Sequence, residues 1–174
     1  MPISGEMPPY SYVPGGPWPH PISSPQGHSF GQVASREAAE KEGQAVRSPR
    51  LLRGIALFNA GYYWEAHEVW EGLWHGYGRR GTDADVVKAL IKLAAAGVKV
   101  REGHEHGVRV HAGRAAELFA SVRSAGGSHR LGLDLDQWAE RCRGVAENPP
   151  RDPSPSGTRV ARVFGFEIDF NADA

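Results

Sequence analysis

The chain has 174 residues, with 20 Lys+Arg balanced by 20 Asp+Glu, so its formal net charge is zero. A pI near 7.1 leaves no general basic field, which argues against nucleic acid and anionic membrane surfaces as partners. No apolar run reaches the ~18 residues that a bilayer span demands, the first residues lack the pattern of a secretory signal, and the lone Cys142 fits a reducing cytoplasm.

The 22 glycines and 13 prolines exceed the roughly 12 % of an average chain, but they are unevenly placed. Eight prolines fall in residues 1–34, the others at 49 and 149–155, and none in 50–148. This distribution divides the chain into an extended Pro/Gly-rich segment (1–34), a helical bundle domain (35–148) and a Pro-rich linker with an extended tail (149–174). Residues 1–34 carry a single charge, Glu6, yet contain Tyr10, Tyr12, Trp18 and Phe30. Disordered tails are usually charged and poor in aromatics, so this segment is expected to lie on the domain surface, with a mobile leader as the alternative.

The predicted elements then run in order. Ser35 caps a short polar helix weakened by Gly43, and Pro49 opens a helix carrying Leu51, Leu52, Ile55 and Phe58, ended by Gly61. A second helix covers about Tyr62–His75 and a third runs from Asp83 or Asp85 to Val100. The fourth covers Glu105–Arg123, and Asp134 caps a fifth, Leu135–Glu147. Phe164, Phe166, Ile168 and Phe170 alternate with polar residues as in a half-buried strand. With no second strand evident, that tail could dock on the bundle, pair with the N-terminal segment or exchange between subunits of a homo-oligomer. The fold class is therefore all-α: a compact bundle of about five helices with extended ends.

The second helix carries the unusual chemistry. At about 100° per residue with His67 at zero, Glu71 lies near +40°, Trp74 near −20°, Tyr63 near −40°, Trp70 near −60° and Trp64 near +60°. One face thus places an imidazole and a carboxylate among four large rings, while Glu65, Glu68 and Gly72 fall on the expected solvent edge. A carboxylate among apolar groups needs a partner or is driven neutral, and His67 and Glu71 stand at i, i+4. Either the pair is structural, fixing helix packing, or it converges on a cation or substrate.

The segment Phe58-Asn-Ala-Gly-Tyr-Tyr-Trp-Glu-Ala-His-Glu-Val-Trp-Glu-Gly-Leu-Trp74, followed by Leu90-Ile-Lys-Leu-Ala-Ala-Ala96, resembles the prokaryotic domain of unknown function 309 family. The resemblance covers roughly residues 50–147. The family signature, His-x-x-x-Glu-x-x-Trp/Tyr, is met by His67, Glu71 and Trp74. It implies an all-helical bundle and a metal-binding role for the motif, with no assigned reaction. Relative to the family's usual pattern, Lys92 stands in place of Gln and Lys99 in place of His.

A catalytic zinc takes about three protein ligands plus water, so a third ligand is required. His111, at the edge of the fourth helix's apolar face, is the internal candidate; His20 and His28 could be folded over the site by the N-terminal segment. His75, His104, His106 and His129 read as solvated. A carboxylate beside an imidazole suits Mn, Fe or Mg ions, with Zn also accommodated. Glu68 resembles a general base only by its position after His67, and its direction on the helix argues for solvent. Lys88, Lys92 and Lys99 form a narrow strip on the third helix. Lys92 and Lys99 could reach the His67/Glu71 site and neutralise Glu71 or hold an anionic group, whereas Lys88 is expected to snorkel.

Two functions follow. One is a helical domain whose buried His/Glu/Trp site binds a divalent metal and supports hydrolysis of a small substrate. The other is a non-catalytic helical-hairpin module that binds a protein, with the His/Glu pair structural; Gly61-Tyr62-x-x-Glu65-Ala66 has the character of such a hairpin, but no second copy recurs.

Overall fold

A computed structural model describes residues 5–32, 48–155 and 157–170. Five helices run in chain order: α1 (Pro49–Asn59), α2 (Tyr63–Gly76), α3 (Thr82–Arg101), α4 (Glu105–Ala125) and α5 (Leu135–Glu147). The helix expected after Ser35 lies outside the described residues. Among them, no helix is long and apolar enough to cross a membrane.

Each helix packs on the next in sequence, as short connections favour. α3 is the central element, with fourteen of its twenty residues buried. Small residues let the helices close up. A Cβ on Gly97 of α3 would lie 2.6 Å from the Tyr63 ring, and one on Gly54 of α1 would lie 2.1 Å from Trp70 Nε1. Trp70, Trp138, Phe58 and Phe119 fill the centre, and Val163, Phe164 and Ile168 of the tail join the same core.

One element was not expected. β1 (His129–Arg130) and β2 (Leu133–Asp134) form an antiparallel hairpin, with Arg130 opposite Leu133. Its turn residues, Leu131 and Gly132, have φ of 52° and 72°, the left-handed pair that a tight two-residue hairpin needs. Asp134 then accepts a hydrogen bond from the Gln137 N–H and starts α5.

Both ends wrap the α1–α2 hairpin. Arg53 Nη1 and Nη2 donate to the carbonyls of Gly5 and Glu6 at 2.6 and 2.7 Å, and Tyr10 and Val13 are buried. At the other end Phe164 and Ile168 are buried while Gly165, Glu167 and Asp169 are exposed, the expected alternation. Among the described residues, no strand partners it. The Asn59 amide takes that place, donating to Ile168 O at 3.1 Å and accepting from Ile168 N at 2.7 Å. Of the three placements open from sequence, the tail docks on its own bundle.

Candidate functional site

α2 buries Tyr63, Ala66, Trp70 and Leu73. On a helical wheel the centre of that stripe lies about 80° from His67. The aromatic wall expected around His67 and Glu71 is therefore divided among three places. Trp70 is fully buried, and its Nε1 donates to Leu51 O at 3.2 Å. Tyr63 is 2 % exposed, and its hydroxyl accepts from the Val163 N–H at 2.9 Å; burial pushes its ionisation above the usual range. Trp64 lies under the N-terminal segment, edge-on to Tyr12 and His20. Trp74 is partly buried against the core and meets His75, Arg79 and Lys88. Tyr63→Phe should leave the Val163 N–H without its acceptor and cost about 1–3 kcal/mol, with earlier proteolysis of the tail as the readout.

His67 and Glu71 are consequently half-exposed, with side-chain exposures of 29 % and 43 %. Glu71 Oε2 lies 3.9 Å from His67 Nδ1, and Glu68 Oε1 is closer, at 3.4 Å. Ligand atoms of His67, Glu68 and Glu71 all fall within 4.8 Å of one another. Glu68 is the residue the helical wheel missed: its direction on the helix diverges from His67, yet its carboxylate lies 3.4 Å from Nδ1. No pattern by direction alone would have found it.

His111 comes from α4 into the same neighbourhood. Its pKa is lowered by burial first, then by the charges of Lys92, Lys99 and His67, against a raising effect of Glu102. On α3, Lys99 Nζ pairs with Glu102 Oε2 at 2.6 Å. His111 is not part of the group gathered within 4.8 Å.

His20 and His28 go elsewhere. His20 stacks edge-on against Trp64, and His28 meets Glu65. Glu65, expected at the solvent edge, is only 4 % exposed because the N-terminal segment closes over it. Oε1 accepts from the Tyr12 N–H at 2.8 Å and lies 3.3 Å from His28 Nε2, while Ser11 Oγ is 3.3 Å from both Oε2 and Gly61 O. Ser11 has one hydrogen for these two acceptors. A proton on Glu65 Oε2 resolves the conflict: it donates to Ser11 Oγ, which donates to Gly61 O. Burial pushes Glu65 up to about 7, against the lowering effect of Tyr12 and Ser11 and with the charge of Glu68 raising it further. Burial also lowers His28, so below neutrality Glu65 meets His28 as the protonated acid.

Cys142 is buried in α5, with its thiol pushed up to about 12 by burial. That is the environment of an inert cysteine.

Comparison with known proteins supports the family read from the motif. Residues 51–110 match the family described as "Domain of unknown function (DUF309)". The matched segment holds α1, α2, α3 and the start of α4, and with them His67, Glu68, Glu71, Trp74, Lys92 and Lys99. No curated protein matches the chain.

Proposed function

We propose that His67, Glu68 and Glu71 bind a divalent cation and that the domain uses this site on a small substrate, with hydrolysis as the reaction. The convergence of the three ligand-type atoms within 4.8 Å carries this reading. Opposed ligands at bond lengths of about 2.1 Å stand about 4.2 Å apart, so small torsional adjustments of half-exposed side chains close the set. One imidazole and two carboxylates suit Mn²⁺, Fe²⁺ or Zn²⁺. Three protein ligands leave coordination positions open on the solvent side. A cation held there would supply Lewis acidity. The residues themselves orient: His67 presents Nδ1 to both carboxylates, Trp74 follows Glu71 by three residues on α2, and the charges of Lys92 and His67 both act on His111 of α4.

Energetics separate this reading from a structural pair. Half-exposed i, i+4 pairs contribute only about 0.3–0.5 kcal/mol, too little to make His67 a packing device. His67→Ala and Glu71→Ala should therefore leave unfolding nearly unchanged while weakening metal binding at least about tenfold. Elemental analysis of untagged protein, with thermal shifts on adding Mn²⁺, Fe²⁺ or Zn²⁺, measures this. A metal-free wild type that shows no shift with any of the three ions overturns it.

A second reading, a module that docks a protein partner, is favoured by one observation. Met7, Trp18, Ile22 and Phe30, four of the six exposed large hydrophobic residues among those described, lie on the N-terminal segment. Its truncation should abolish partner capture while leaving metal binding intact.

A further inference from the structure

The loop after α2 brings positive charge back onto the motif tryptophan. Gly78, Arg79 and Gly81 have φ of 68°, 62° and 94°, and the Arg79 N–H bonds to Trp74 O at 3.1 Å. This reversal sets the Arg79 guanidinium carbon 5.6 Å from the Trp74 ring centre. From α3, Lys88 Nζ approaches the same ring to 5.5 Å, and the His75 ring stands edge-on to it at 5.5 Å. Lys88, expected to snorkel, does so over this ring.

Neither Arg79 nor Lys88 takes part in an ion pair among the described residues. Trp74 Nε1 is shielded from solvent and has no hydrogen-bond acceptor. Among the described residues, two cations without an ion pair therefore approach a single indole whose own N–H lacks an acceptor. Cation–π attraction holds each cation at the ring, and two like charges at one indole favour an anion beside them. The nearest carboxylate along α2, Glu71, is turned to His67 at 3.9 Å.

We propose that Arg79, Lys88 and Trp74 form a binding site for a phosphate-type oxyanion group of a small molecule. A guanidinium fork, an ammonium point charge and an indole N–H approach from different elements, which suits a tetrahedral group with several oxygens better than a planar carboxylate. Since Trp74 follows Glu71 by three residues on α2, the bound group lies next to the proposed cation site. Oxyanion binding itself is independent of any metal.

The test is calorimetric titration of the untagged full chain with inorganic phosphate and pyrophosphate in EDTA, against chloride at matched ionic strength. Saturable phosphate binding is expected, weakened about tenfold by Arg79→Gln or Lys88→Gln and lost in the double variant. The Trp74 indole N–H resonance, assigned by its disappearance in Trp74→Phe, should shift on saturation. His67→Ala should bind phosphate as wild type does, which separates failure of the cation site from failure of this one. Equal responses to chloride and phosphate, or undiminished binding by a double variant whose circular dichroism is native, would overturn the proposal.

Discussion

Glu65→Gln should stabilise the protein at pH 8 relative to its effect at pH 4, by about 3 kcal/mol. The ordinary carboxyl value of 4.5 represents the unfolded chain, and burial raises it to about 7 in the fold. The folded state therefore holds this proton more tightly. Its contribution to stability is fully present below 4.5 and is lost as pH rises through 7. Gln keeps the neutral form at every pH. Its carbonyl accepts from the Tyr12 N–H as Oε1 does, and its amide donates to Ser11 Oγ, leaving that hydroxyl free for Gly61 O. Urea denaturation of both proteins from pH 4 to 8 measures the difference. If the two curves run parallel across this range, Glu65 is ionised throughout and the proton assignment is wrong.

Gly54→Ala should cost about 3 kcal/mol, at the upper end of overpacking penalties. An exposed Gly-to-Ala change in a helix interior would instead gain up to ~1 kcal/mol. Here the added Cβ would lie 2.1 Å from Trp70 Nε1, 2.4 Å from Cε2 and 2.5 Å from Cδ1. Trp70 cannot retreat without surrendering its bond to Leu51 O and its contact with Phe58. Thermal denaturation should show a lower midpoint, and Gly72→Ala, whose Cβ meets only Arg50 Nη1 at 3.7 Å, supplies the contrasting case. A midpoint that rises in Gly54→Ala would show that α1 and α2 are not held this closely.

How far the fold could be read from residues alone depended on whether the signal was local. α5 emerged residue for residue because Asp134 caps it and Pro149 follows it. α1 to α4 were placed within a few residues by Pro49, Gly61, Gly81 and Gly103. The β1–β2 hairpin was not visible, because two-residue strands leave no alternation to detect. The N-terminal segment's aromatic, uncharged composition left a surface-laid segment and a mobile leader both open, and its target was not legible. Nothing near Glu65 in sequence announces that Ser11, Tyr12 and His28 cover it. The candidate site shows the same limit. His67, Glu71 and Trp74 could be picked out by spacing, whereas the wheel treated Tyr63, Trp64 and Trp70 as one wall. Which sector of α2 faces the core is decided by α1, α3 and the two wrapping ends, and none of these is local.

The two wraps also bear on the order in which the molecule assembles. Contacts between neighbouring helices close short loops and form early, whereas Tyr12 reaches Glu65 across 53 residues and Ile168 reaches Asn59 across 109. Such distant closures carry a larger entropic cost before they are rewarded. The bundle therefore condenses first and the ends fasten last. Contacts made after the rate-limiting step govern how fast a protein comes apart rather than how fast it forms. Altering Asn59 or Ser11 should thus quicken unfolding and leave the refolding rate almost untouched, making the two ends the molecule's timers of persistence.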